Sequence, residues 1–130
     1  MKLLKTAGII IIGNEILSGK VRDANSFYLA GELRKLGVDL KRISVIPDDI
    51  DTIGVEVARF SDAHNYVFTS GCVGPTHDDV TMEGIAKGFG VPLIEHPDIK
   101  TILFAKFNNS PNAAVLKMAR VPEGSKVELP

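Results

Sequence analysis

The chain has 130 residues, a length that suits one domain with its own core and leaves little room for a second. Hydrophobic residues make up 45% and charged residues 24%, and a formal net charge of -1 supplies no basic excess to hold a nucleic-acid backbone. The single cysteine, Cys72, excludes an intramolecular disulfide and a Cys-type zinc cluster, which favours a reducing, cytoplasmic setting.

The first strand is predicted over Ala7 to Ile12, a continuous apolar run rich in β-branched residues that suits burial on both faces of a parallel sheet. It ends at Gly13, far short of a membrane span, and MKLLK ahead of it does not make a secretory signal. GNEILSGKVRDANS reads as loop until Asn25 or Ser26 caps a helix with Leu29, Leu33 and Leu36 on one face and Gly37 as its stop. Leu40 to Ile46 forms a second strand. Asp48 or Asp49 then caps a helix in which Ile50, Ile53, Val57 and Phe60 recur at helical spacing.

The third strand opens the segment YVFTSGCVGPTHDDVT, from Tyr66 to Thr81. Apolar residues give way to Ser70, Gly71 and Gly74, then to Pro75, Thr76, His77, Asp78 and Asp79, and Met82, Ile85, Ala86 and Phe89 follow at helical spacing. Three strand-to-helix units with short loops predict a parallel sheet covered by helices, with ligands at the carboxyl ends of the strands. Beyond Gly90 the expectation is a short edge strand over Val91 to Glu95, a helix over Pro97 to Phe107, a turn at NNSPN and a strand over Leu116 to Val121. No closing helix is evident, so the sequence reads as one domain, 1–130, truncated or missing residues at its C-terminal end.

Polar clusters follow all three strands: Asn14 and Glu15, then Asp48 and Asp49, then Thr69 to Asp79. Backbone amides around Gly71 and Gly74, with the N-terminus of the helix starting near Asp79, suit a phosphate. Glu15, Asp48, Asp78 and Asp79 beside an anion call for a bridging hard cation or for protonated ligand groups. GCVGPT carries neither the Lys-Ser/Thr of a P-loop nor the GxGxxG of a dinucleotide-binding turn. Structural roles compete at several of these positions. Asp48 and Asp79 suit helix caps, Gly13 and Gly37 suit turns, Glu15 suits solvent and Cys72 suits a small loop residue more than a nucleophile. His64 and His96 stand apart from the polar clusters and read as surface residues, which leaves His77 as the histidine suited to chemistry.

GNEILSG, DANSFYLAGELRKLG, VIPDD and TSGCVGPTHDDVT, in that order, resemble the molybdopterin-binding (MoCF) domain family. Within it they resemble the branch of the N-terminal domains of competence/damage-inducible protein A (CinA) and of animal FAD synthases. The likeness spans Thr6 to Pro97, and LKMARVPEGS resembles the family's next segment. It implies a three-layer α/β/α sandwich with a mostly parallel sheet that binds a pterin or nucleotide at the strand ends. The family's phosphate loop falls on Thr69, Ser70, Gly71, Cys72, Gly74, Pro75 and Thr76, and its GDE element on Gly13 to Glu15. Its acids fall on Asp48, Asp78 and Asp79, as metal ligands, and its asparagine ahead of the first helix on Asn25. Asp48, Asp79 and His77 are the candidate catalytic residues.

For this branch the resemblance implies hydrolysis of a nucleotide pyrophosphate such as ADP-ribose or FAD with a divalent metal, Mg²⁺ or Co²⁺. The partner is a small-molecule nucleotide or pterin, with no nucleic acid and no membrane, and a homo-oligomer, dimer or trimer, is expected. The alternatives are molybdopterin binding in molybdenum-cofactor synthesis and a non-catalytic regulatory or oligomerisation domain. Two positions depart from the pattern. Asn14 stands where the family has aspartate and removes a carboxylate; Cys72 stands where it has a second glycine and crowds the backbone approach to phosphate.

Overall fold

A computed structural model describes residues 3–76 and 79–128 of the chain; His77 and Asp78 therefore lie outside the described residues. Strand β1 (Thr6–Ile12) lies at the centre of a three-stranded parallel sheet, between β2 (Asp39–Ile46) and β3 (Tyr66–Ser70). An uncharged run of isoleucines is what such a position demands, because both faces of β1 and both of its edges are covered. The pleat sends its side chains alternately to two cores. Ile10 and Ile12 meet Ile46, Ile53, Val57 and Phe60 on one face, while Ala7, Ile9 and Ile11 meet Leu33 on the other. The register places Ile12 beside Ile46 and Ile11 beside Ser70, so all three strands end at one edge.

Helix α2 (Asn25–Lys35) covers the second of these faces. Helix α3 (Ile50–Ala63) covers the first, with Ile53, Val57 and Phe60 buried at the expected helical spacing. Helix α4 (Thr81–Phe89) packs against α3. The contact is close because a Cβ added at Gly88 would come within 2.5 Å of the Gly54 carbonyl oxygen, so neither helix has side-chain bulk at the crossing. The expected α/β architecture, with a parallel sheet between helical layers, is the one observed.

Several local expectations are corrected. The run after β1 is not all loop, because Asn14–Leu17 makes one helical turn, α1. The second helix is capped by neither Asn25 nor Ser26: the Asp23 carboxylate accepts from the Asn25 N–H at 3.1 Å and the Ser26 N–H at 3.2 Å. Asp49, and not Asp48, caps α3, accepting from the Thr52 N–H at 2.9 Å and the Thr52 hydroxyl at 2.8 Å. The backbone and then the side-chain hydrogen bond of Thr52 hold the Asp49 carboxyl below its ordinary pKa.

In the C-terminal part, β4 (Leu93–Glu95) does not extend the parallel sheet as an edge strand. It pairs antiparallel with β5 (Arg120–Pro122) in a separate two-stranded sheet. Helix α5 (Pro97–Lys106) matches its prediction, with His96 as its cap through Nδ1, 3.2 Å from the Asp98 N–H. The strand expected over Leu116 to Val121 is mostly helical. Helix α6 (Ala113–Leu116) and a 3₁₀ turn (Lys117–Ala119) precede β5, because Asn112 caps the turn by accepting from the Val115 N–H at 2.9 Å. His64 is not a surface residue: it is half-buried, its ring stacks edge-on to Phe60 at 5.5 Å, and its Nδ1 is buried without a hydrogen-bond partner among the described residues.

Candidate ligand site at the strand ends

The parallel register brings the three polar clusters together. Gly13 follows β1 and donates its N–H to the Ile46 carbonyl at 3.0 Å, which ties the first strand end to the second. Asn14 strengthens that tie, since its Oδ1 accepts the Asp48 N–H at 3.3 Å. An asparagine oxygen performs this acceptance as well as an aspartate would, so the departure from GDE leaves the junction intact. From the other side, the Asn25 side-chain amide donates to the Ser70 hydroxyl at 2.7 Å. Because Asp23 does the capping, Asn25 is available to join α2 to the end of β3.

The loop from Gly71 to Thr76 leaves β3 by a turn that only glycine accommodates at its first position. Gly71 has φ 105°, and a Cβ there would lie 2.0 Å from the Ile12 carbonyl oxygen. Cys72 follows at φ 52°, a left-handed conformation that is uncommon for a residue with a side chain. Its Sγ is 3.7 Å from the Ile12 carbonyl oxygen and 3.8 Å from Asp48 Oδ2, so the thiol points into the angle between β1 and β2. Burial first, then the charges of Asp48 and Glu15, push the thiol up to about 11. Such a thiol is protonated at neutral pH and is no nucleophile, which agrees with the structural reading of Cys72.

Thr76 and Asp79 close the loop. Asp79 Oδ2 accepts from the Thr76 N–H at 3.0 Å and the Thr76 hydroxyl at 2.6 Å, while the Asp79 N–H donates to the Thr76 carbonyl at 3.2 Å. Thr76 therefore shapes the loop, and its donors are spent within the protein. By contrast, the N–H groups of Cys72, Val73 and Gly74 have no acceptor among the described residues. Unpaired backbone N–H groups in a tight turn are an anion-binding arrangement. Asp48, Glu15 and Asp79 all act electrostatically on Cys72, which places the three acids around the same loop. Among the described residues, no three His, Cys, Asp or Glu side chains form a group that would hold an ion by themselves. Thr69 lies on β3 opposite Ile10, and Pro75 is exposed on the loop.

Two residues of the site carry no sequence signal of their own. Thr81, fully buried, donates its hydroxyl to the Gly71 carbonyl at 2.8 Å and fixes the base of the loop. Lys117 reaches across from the 3₁₀ turn and donates its ammonium to the Thr76 carbonyl at 2.5 Å. Lys117 falls within LKMARVPEGS, so the resemblance of that segment is the one clue that points to it.

A family profile described as "Probable molybdopterin binding domain" matches residues 8–127. A Caenorhabditis elegans protein named "Probable FAD synthase" is 56% identical over 85 residues, 65% of this chain and 16% of the nematode protein. A CinA-like protein of Picosynechococcus is 41% identical over 128 residues, covering 93% of this chain and 30% of the relative. The chain thus spans far less than two thirds of these relatives. In structure it is similar to CinA of Thermoplasma acidophilum, a protein described as of unknown function, with TM-score 0.87 and 34% identity over 92% of this chain and 71% of that one. No helix among the described residues is long and apolar enough to cross a membrane. With its profile match extending over nearly its whole length, the chain belongs to the molybdopterin-binding (MoCF) domain family.

Proposed function

We propose that the domain binds the phosphate of a nucleotide or pterin in the loop from Ser70 to Thr76 and hydrolyses a nucleotide pyrophosphate of the ADP-ribose or FAD type. The observation that carries this reading is the run of N–H groups at Cys72, Val73 and Gly74, without an acceptor among the described residues, beside the acids Glu15, Asp48 and Asp79. The N–H groups supply donors for phosphate oxygens, and the buried Thr81 fixes the base of the loop through its bond to the Gly71 carbonyl.

A divalent cation, Mg²⁺ or Co²⁺, when bound, polarises the phosphate and lowers the pKa of the attacking water. Asp48 and Asp79 would hold it. Two carboxylates fit such an ion, because Mg²⁺ is commonly bound by one or two carboxylates together with substrate phosphates and not by a full protein cage. Asn14 and Asn25 keep the surrounding strand ends in register through their bonds to Asp48 and Ser70. A share in the cation for Asp78, and for His77 the donation of a hydrogen bond or proton to the leaving phosphate, rest on the sequence motif.

The test is hydrolysis of ADP-ribose and FAD with Mg²⁺, Co²⁺ or Ni²⁺, alongside thermal shifts with the same ligands. Metal-dependent product together with a raised melting temperature is the expected result. Ligand-induced stabilisation with no product above blank overturns the hydrolytic part and keeps the binding part.

A second reading, molybdopterin binding in molybdenum-cofactor synthesis, is favoured by the description of the matching family. It predicts stabilisation by molybdopterin and little by FAD. Homo-oligomeric assembly belongs to either reading. Phe27 (86% exposed) on α2 and Leu36 (76% exposed) just after it are apolar surface of the kind that assembly covers, and sedimentation measures it.

A further inference from the structure

Strand β2 forms one edge of the parallel sheet, and no strand pairs with its outer side among the described residues. The Ile46 carbonyl accepts from the Gly13 N–H and so faces inward, and alternation along the strand turns Ser44 inward with it. The N–H and C=O groups of Ile43 and Val45 consequently point away from the sheet. They meet no turn, cap or side-chain partner among the described residues. We propose that this edge pairs antiparallel with the same strand of a second copy of the chain, across a two-fold axis at Ser44, joining two three-stranded sheets into one of six strands.

The two halves of β2 are unequal as edges. The first half carries devices that discourage edge pairing: the cations Lys41 and Arg42, and a bulge in which Ala7 lies beside Leu40 and Gly8 beside Arg42, with Lys41 left over. The second half carries none of these. Ile43 (45% exposed) and Val45 (37% exposed) lie beside Ile9 and Ile11 and share their face, yet neither joins the core cluster that Leu33 of α2 closes over β1. Ser44 faces the other way, donating its hydroxyl to Glu56 of α3 at 3.2 Å. An edge with bare polar backbone and exposed β-branched side chains is a template for another strand. On the opposite edge of the sheet, Val67 to Ser70 of β3 are half-buried.

A second copy is the occupant because the edge complements itself. With outward groups at Ile43 and Val45, the axis can fall on residue 43, 44 or 45. On residue 43 it sets Val45 opposite the charged Lys41, and on residue 45 it sets Ile43 opposite Pro47, which has no N–H. On Ser44 it sets Ile43 opposite Val45 twice over. Each such pair exchanges two backbone hydrogen bonds and covers an apolar side chain with another. Antiparallel order also brings Lys41 and Arg42 of each copy toward Asp48 and Asp49 beyond the other's strand end, so charge favours this order over a parallel one. The two candidate ligand sites, at the carboxyl ends of oppositely directed strands, then open at opposite edges of the joined sheet.

Sedimentation of the wild type from micromolar to millimolar concentration tests the proposal, together with Ile43→Lys, Val45→Pro, Ser44→Cys and Arg42→Cys, each checked for folding by circular dichroism. The expected wild type is a monomer–dimer equilibrium that weakens with salt. The two-fold axis counts every substitution twice, so Ile43→Lys should weaken the dimer about tenfold or more. Val45→Pro removes an outward N–H and leaves the pairing with β1 intact, and it should act likewise. Under oxidation, Ser44→Cys should link two copies, because a non-hydrogen-bonded pair sets its Cα atoms about 4.5 Å apart, within disulfide reach. Arg42→Cys, set opposite Ile46, should not, and the wild type with Cys72 alone is the control. A wild type that stays monomeric throughout, or that forms trimers, overturns the proposal. So does a dimer that survives both Ile43→Lys and Val45→Pro. A dimer that Arg42→Cys links and Ser44→Cys does not overturns the register.

Discussion

The two faces of the parallel sheet are built differently. On one, α3 and α4 lie so close that glycine backbones touch, and Ile53, Val57 and Phe60 are almost wholly withdrawn from water. On the other, α2 buries Leu33 and leaves Phe27, Tyr28 and Leu36 exposed. Stability is therefore concentrated on the α3 face. The α2 face contributes less packing but carries Asn25 to the end of β3, where its amide meets Ser70. The candidate site draws on both, since Asp48 leads into α3 and Asn25 begins α2. A rigid half supports the loop, and a lightly packed half supplies a polar arm.

The strongest challenge to this contrast is truncation in the rigid half. Ile53→Ala removes a side chain with no solvent exposure, and chemical denaturation should show a loss of about 2–5 kcal/mol. Gly88→Ala should cost about 1–3 kcal/mol by overpacking, because its Cβ would meet the Gly54 backbone. If Gly88→Ala melts at the wild-type temperature, the close helix crossing is not what holds that face.

Gly71→Ala acts at the shared edge. Its Cβ would overlap the Ile12 carbonyl, so loss of ribose 5-phosphate affinity is expected at a smaller cost to global stability than Ile53→Ala. On the α2 face, Phe27→Ser should change stability by no more than about 0.5 kcal/mol in the monomer. A larger loss that appears only at high protein concentration would instead mark α2 as an assembly surface.

The smallest effect concerns pH. With the Cys72 thiol raised to about 11, alkylation by iodoacetamide should stay slow at pH 8 and accelerate only as that value is approached. The folded state holds this proton more tightly than the unfolded chain. Its contribution to stability is therefore intact below the ordinary thiol pKa, about 8.5, and declines as pH rises from there toward 11. Rapid alkylation at pH 7 would mean that the acids do not surround the thiol.

The parallel sheet was legible because its signals are local. An isoleucine run announces a buried central strand, and Ile53, Val57 and Phe60 repeat at the helical period. The loop was legible through its glycines and acids, with the family resemblance giving their order. Capping was harder to assign, since Asp23, Asn25 and Ser26 are all competent caps, and geometry alone gave the position to Asp23. The C-terminal part misled because Leu116 to Val121 is apolar enough for a strand, yet Asn112 starts a helical turn just upstream. Thr81 and Lys117 escaped notice because each acts on a carbonyl distant in sequence, Gly71 and Thr76 respectively.

By itself, then, the sequence determined which segments alternate as strand and helix, and that a glycine-rich, acidic loop follows the third strand. Those properties depend on the periodicity and backbone freedom of neighbouring residues. Only the tertiary structure decided that Thr76 spends its donors on Asp79 while those of Cys72, Val73 and Gly74 meet no acceptor among the described residues, and that Cys72 lies among three acids. It likewise decided that a cavity of about 190 Å³, lined in part by Met82, Leu93 and Met118, adjoins the loop. These features depend on how closely separate strands, helices and the β4–β5 pair approach one another, a distance that no local pattern encodes.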